Sequence, residues 1–93
     1  VRVDGVDAAR LGLPGKPDPA LFLEAVRLMG TEPHLAAVAE DALVGVEAGR
    51  RGHFGLVIGV DRTGVREKML AGGAHVVVAD LAEFLPLSGL QES

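Results

Sequence analysis

Leu35-Ala36-Ala37-Val38-Ala39-Glu40-Asp41-Ala42-Leu43-Val44-Gly45-Val46-Glu47-Ala48-Gly49-Arg50-Arg51-Gly52 decides the fold. Leu35 to Ala39 is a short continuous apolar run, as expected of a strand buried on both faces. Two carboxylates end the run, and Leu43 to Arg51 then reads as a helix. Val46, Ala48 and Gly49 keep its side chains small enough for close packing. Arg50 and Arg51 fall in the last turn, where cations suit the helix dipole, and Gly52 supplies the exit. Strand, acidic loop and helix in this order make the first part of a βαβ unit.

The same alternation continues on both sides. Downstream, Leu56 to Val60 reads as the next buried strand, Thr63 as the cap of a third helix that Gly72-Gly73 stops, and His75 to Ala79 as another strand. Asp80 is expected to cap a short last helix carrying Leu81, Phe84 and Leu85, with residues 87–93 as a tail. Upstream, Val1 to Val3 reads as a short edge strand, followed by a loop through Gly15. Asp18-Pro19 then starts a helix whose apolar stripe is Leu21, Phe22, Ala25, Leu28 and Met29 and which Gly30 ends. Strands alternating with helices at these lengths predict an α/β fold. The expected form is a parallel sheet with right-handed crossovers, in three layers with helices on both faces.

Composition agrees. The chain is 48% hydrophobic, yet its 93 residues include only three aromatics, all Phe. Its core is therefore built from Val, Leu, Ala and Ile, as in parallel sheets covered by helices. At this size one small domain buries roughly 60 to 65% of its surface on folding. A net charge of −4 and a pI near 5.2 argue against a nucleic-acid partner, which calls for concentrated Lys and Arg. Zero Cys excludes disulfides and thiolate chemistry and suits a reducing cytosol, so the expected location is cytoplasmic. No apolar run reaches the roughly 18 to 20 residues that span a bilayer. The opening Val-Arg-Val-Asp has neither an initiator Met nor the pattern of a signal peptide, and it reads as cut from something longer.

Two places carry residues suited to phosphate chemistry. Loops at the carboxyl ends of parallel strands converge on the ligand crevice, and Glu40-Asp41 occupy such a loop. Adjacent carboxylates there suit Mg²⁺, which takes one or two carboxylates together with water and substrate phosphate. A plainer reading stands beside it: Asp41 caps the following helix and Glu40 is a solvated neighbour. Lys16, between Gly15 and Pro17, could offset the charge of a phosphoryl group, or be an ordinary surface lysine. His34, His53 and His75 have no ligand spacing, Asp61-Arg62 reads as a turn, and Gly72-Gly73 as a helix stop.

Taken together, Gly15-Lys16-Pro17-Asp18-Pro19 and Ala39-Glu40-Asp41-Ala42-Leu43-Val44-Gly45-Val46-Glu47-Ala48-Gly49 resemble the haloacid dehalogenase superfamily, in its phosphatase and β-phosphoglucomutase-like subgroup. The strand over Val57-Ile58-Gly59-Val60 is close to the family pattern too. The resemblance covers the chain to about Phe84, so residues 1–86 are expected to be a partial core domain. It implies that Lys16 is the catalytic, phosphate-binding lysine, that Asp41 binds Mg²⁺, and that Glu40 is a direct or water-mediated metal neighbour. Ala42 departs from the Ser frequent at its position, which removes one hydroxyl near the metal loop.

The resemblance also implies what the chain lacks. The family's Asp-x-Asp nucleophile motif, its phosphate-gripping Ser or Thr and its cap domain have no counterpart here. Asp4-Gly5-Val6-Asp7 spaces its acids three apart and matches an edge-strand and loop segment instead. The expectation is therefore the carboxyl-terminal part of a Mg²⁺-dependent phosphatase or phosphomutase. The whole enzyme would act on a small phosphorylated metabolite, a sugar phosphate, through a phosphoaspartate, and the fragment would be inactive. A non-catalytic binding or assembly module with the same fold is the alternative. Two strands of the family's sheet would lie between Val1–Val3 and Leu35–Ala39. Their absence predicts a three-stranded block with a bare apolar edge, inviting edge association or the rest of a longer chain.

Overall fold

The computed structural model describes residues 2–3, 12–80 and 82. Four strands are present among these residues: β1 (Arg2–Val3), β2 (Ala37–Glu40), β3 (Leu56–Val60) and β4 (Val76–Val78). Among the described residues three α-helices alternate with them: α1 (Ala20–Leu28), α2 (Leu43–Arg51) and α3 (Arg66–Gly72). The strands form one parallel sheet in the order β1-β2-β3-β4. This is the α/β architecture expected from the alternation, and α2 has the bounds read from the sequence.

Register fixes which residues share a face. Val38 pairs with Val57, Glu40 with Gly59, and Gly59 with Val77, so all five project toward the same side. Helices α2 and α3 cover that side. Gly49 of α2 lies against Val38 and Val57, and Gly59 of β3 against Met69 of α3. Helix α1 adds Phe22, Ala25 and Val26 to the same cluster, where the Phe22 and Phe54 rings meet edge to face at 5.8 Å. The described helices α1, α2 and α3 thus all contribute to this one cluster. Ala39, Ile58 and Val60 on the opposite face are buried as well.

Several local readings are corrected. The strand does not begin at Leu35: Pro33–Leu35 forms a 3₁₀ turn, the Ala36 amide bonds to the Pro33 carbonyl, and Leu35 is 64% exposed. Proline's fixed φ and missing N–H favour that turn over a ladder position. In α1 the buried stripe is Leu21, Phe22, Ala25 and Val26, whereas Leu28 and Met29 are exposed. Thr63 does not cap α3. Asp61 Oδ1 accepts the amides of Thr63, Gly64 and Val65 and turns the chain into the helix. The last strand is shorter than His75 to Ala79, with bounds Val76–Val78.

The three helices α1 to α3 close with the same paired carbonyl bonds around a residue of positive φ. Gly30 and Gly73 are that residue after α1 and α3, with φ of 74° and 121°. After α2 the residue is His53, φ 61°, and not Gly52. The His53 amide bonds to the Arg50 carbonyl and the Phe54 amide to the Gly49 carbonyl. Gly52 is required for space instead, since a Cβ there would stand 2.8 Å from the Phe54 ring and 3.1 Å from Pro19.

The bare edge expected along β2 is also corrected. β1 pairs with it directly, Arg2 with Ala37 and Val3 with Val38. Open ladder groups beside an apolar strand are costly, and the chain's own first strand satisfies those of Ala37 and Val38. The Asp4-Gly5-Val6-Asp7 stretch and the helix expected over Leu81, Phe84 and Leu85 lie outside the described residues. So does the tail. Asp80 does accept the Ala82 amide, at 2.9 Å. Among the described residues no helix is long and apolar enough to cross a membrane.

Candidate functional site

Glu40 ends β2 and faces the helices, and the next residue, Asp41, is exposed at the carboxyl end of the sheet. Helix α2 starts two residues further on. Its cap position is Ala42, which has no side-chain acceptor, and the Ala42 carbonyl receives the Gly45 and Val46 amides. The capping alternative for Asp41 is therefore not what the backbone adopts. Glu40 is not a solvated neighbour either, because its side chain is only 7% exposed.

Lys16 reaches this point from the loop before α1. That loop is shaped by the Asp18 amide bonding to the Gly15 carbonyl, by a cis Lys16–Pro17 peptide, and by Asp18 Oδ1 accepting the Ala20 amide at the helix start. The Lys16 ammonium donates to Glu40 Oε1 at 2.8 Å. It also stands 5.5 Å from the centroid of the Phe22 ring, with its side chain 32% exposed. A carboxylate this buried needs a partner to offset lost hydration, and the ammonium is that partner. The three residues singled out from sequence thus meet at one end of the sheet.

Phe22 was missed as a site residue, because an apolar residue in a helical stripe reads as core. Its position in the first turn of the helix that follows the Lys16 loop was the available signal. Asp61 follows the end of β3, where backbone amides hold its carboxyl below the usual carboxylate range, the Val65 amide contributing most. Its bonds make it a loop organiser. His34, His53 and His75 do not come together with these groups. Among the described residues no set of three or more His, Cys, Asp or Glu is placed to hold a metal ion. Any cation at Glu40-Asp41 would therefore keep most of its water or take further ligands from elsewhere, which is the habit of Mg²⁺.

Similarity to known proteins points the same way. No family model matches the chain. It is 51% identical over 87 residues to a β-phosphoglucomutase of Mycobacterium bovis, a match covering 90% of this chain and 33% of that protein. It is 39% identical over 93 residues to a trehalose-phosphate phosphatase of Mycobacterium leprae, covering 96% of this chain and 20% of the relative. Among solved structures, a HAD family hydrolase from Deinococcus radiodurans with bound phosphate and sodium superposes with a TM-score of 0.74 at 27% identity, over 85% of this chain and 36% of that one. The chain thus spans about a third or less of the length of these proteins. Sequence likeness across nearly the whole chain, joined to the parallel sheet with Lys16 and Glu40-Asp41 at one end, makes the chain similar to about a third of the length of haloacid dehalogenase-like proteins of the β-phosphoglucomutase-like subgroup.

Proposed function

We propose that this chain supplies the charge-balancing and metal-holding part of a Mg²⁺-dependent phosphatase or phosphomutase whose substrate is a small sugar phosphate. The observation that carries the reading is the meeting of the Lys16 ammonium with Glu40, beside the exposed Asp41 carboxylate. The names of the relatives, a β-phosphoglucomutase and a trehalose-phosphate phosphatase, support the substrate class.

Each residue has a distinct part. Lys16 places a full positive charge where a transferring phosphoryl group gathers negative charge, and a preformed charge in a partly dry site acts without reorganising solvent. Asp41, exposed, offers oxygen ligands to Mg²⁺, and Glu40 is the neighbouring acid that fixes Lys16 and borders the ion. The ion, when bound, neutralises charge on phosphoryl oxygens. The chain contains no Asp-x-Asp, so on its own it is expected not to turn over phosphomonoesters.

Titration of MgCl₂ into the ¹⁵N-labelled chain tests the metal role. Saturable shifts are expected at the amides of Glu40, Asp41 and Ala42 and should vanish in Asp41→Asn. Shifts that persist in Asp41→Asn would refute the assignment. Mg²⁺-dependent phosphomonoester turnover by the purified chain, abolished in Asp41→Ala, would instead show that the chain needs no other segment.

A further inference from the structure

We infer that Gly45 and Phe22 are positioning residues for the Lys16–Glu40 couple: Gly45 leaves empty the space that the Glu40 carboxyl occupies, and Phe22 carries the Lys16 ammonium on its ring. As geometry this stands alone, and its bearing on phosphoryl transfer rests on the role proposed for Lys16.

Gly45 lies in the first turn of α2, directly over the end of β2. A Cβ on Gly45 would stand 2.5 Å from Glu40 Cδ and 2.6 Å from Cγ. Non-bonded carbons pack at about 3.5 to 4.0 Å, so no side chain at Gly45 is compatible with the present Glu40 conformation. Backbone conformation does not call for glycine here, since Gly45 is not among the residues with positive φ. Glycine is also a poor residue inside a helix, where it gives up more chain entropy than alanine. Space for one carboxyl group is what remains to account for it. The obstacle at Gly45 is a flexible side chain that can swing away, whereas Gly49 meets Val38 and Val57, which are branched and fixed in the core. A substitution at Gly45 should thus evict Glu40 and leave the fold intact.

Phe22 acts from the other side. Its ring is set edge to face on Phe54 at an interplanar angle of 84°, which fixes its orientation. At 5.5 Å from the centroid, the Lys16 ammonium lies within the range in which a ring quadrupole attracts a cation. Lys16 is thereby held between a carboxylate and a ring.

The chain has two lysines, Lys16 and the exposed Lys68 of α3, so each protein carries its own reference. Limited acetylation with an N-hydroxysuccinimide ester, read by peptide mass spectrometry, gives the ratio of Lys16 to Lys68 modification. Gly45→Ala is expected to raise this ratio about fivefold, the upper end for losing one partly exposed ion pair. Phe22→Leu, which keeps an apolar side chain and removes the ring, is expected to raise it about twofold. Glu40→Ala should raise it as Gly45→Ala does, and the double variant should show no further increase. An unchanged ratio in folded Gly45→Ala, or an equal added increase in the Glu40→Ala background, would overturn the role of Gly45. An unchanged ratio in Phe22→Leu would overturn that of Phe22. If Gly45→Ala melts early, Glu40→Ala/Gly45→Ala must recover the melting temperature, and failure to recover it also overturns the proposal. None of these readings depends on Mg²⁺, so the metal role can fail in its own titration while this one stands.

Discussion

Val57 and His75 exchange two hydrogen bonds, and only one of them is between backbones. The His75 amide donates to the Val57 carbonyl, and the Val57 amide donates to His75 Nδ1, each at 2.8 Å. The imidazole thus serves as a ladder acceptor one residue before β4 begins. His75→Ala removes the acceptor and is expected to cost about 1 kcal/mol, with faster exchange of the Val57 amide. His75→Asn, whose carbonyl oxygen can take the place of Nδ1, should recover most of the loss. The urea midpoint, compared at constant m value, checks both.

His53 pays the steric penalty of a left-handed backbone that Gly30 and Gly73 avoid at the equivalent places. Replacing it with glycine relieves that penalty and gives some of the gain back as unfolded-chain entropy. We expect His53→Gly to be more stable by about 0.5 to 1 kcal/mol. His53→Val, with a branched Cβ at the same φ, should be less stable than the natural chain. Thermal melts of the pair, ordered Gly above His above Val, are the measurement.

Asp61 predicts part of the acid response. Backbone amides hold its folded-state pKa below the unfolded value. The stabilisation is therefore present at pH values above the unfolded pKa and is lost as pH falls through the folded one. In Asp61→Asn the group no longer titrates, so the melting temperature should fall less steeply below about pH 4 than in the natural chain. Equal slopes over that range would show that other carboxyls dominate.

Gly49→Ala should behave differently from a change at Gly45. The new methyl would meet Val38 Cγ2 at 2.7 Å and Val57 Cγ2 at 3.1 Å, both in fully buried residues. Branched side chains have few alternative rotamers, so the strand or helix must shift, at a cost of about 1 to 3 kcal/mol. Gly49→Ala/Val38→Ala should recover part of that cost in a double-mutant cycle.

Much of this molecule was legible where one physical signal acted alone. Helix α2 could be bounded from small residues, terminal arginines and a flanking glycine, and Glu40-Asp41 could be placed at a strand end of a parallel sheet, whereas Lys16 was joined to them only through the family resemblance. The reading failed where two signals competed. At Leu35 an apolar run argued for strand, but Pro33 set a 3₁₀ turn first. At Gly52 glycine marked the helix exit, yet its value was in clearing Phe54, and the left-handed position fell on His53. At Thr63 a good capping residue was overruled by Asp61, which reaches three amides at once. Phe22 and Gly45 were hidden because a core aromatic and a helix glycine look ordinary until a charged side chain is found beside them. The pairing of β1 with β2 depends on which strands share the sheet, and two residues carry no such information.

The strand order has a consequence for how the molecule comes together and apart. Among the described residues each strand lies beside the one that precedes it; the β2–β3 and β3–β4 ladders each close across one helix, α2 or α3, whereas β1 reaches β2 over a much longer stretch of chain. Cooperativity therefore passes from neighbour to neighbour, as in a short repeat array. Native-state hydrogen exchange should show β2 and β3 as the slowest-opening unit, with β4 and then the two-residue β1 opening at progressively lower free energy.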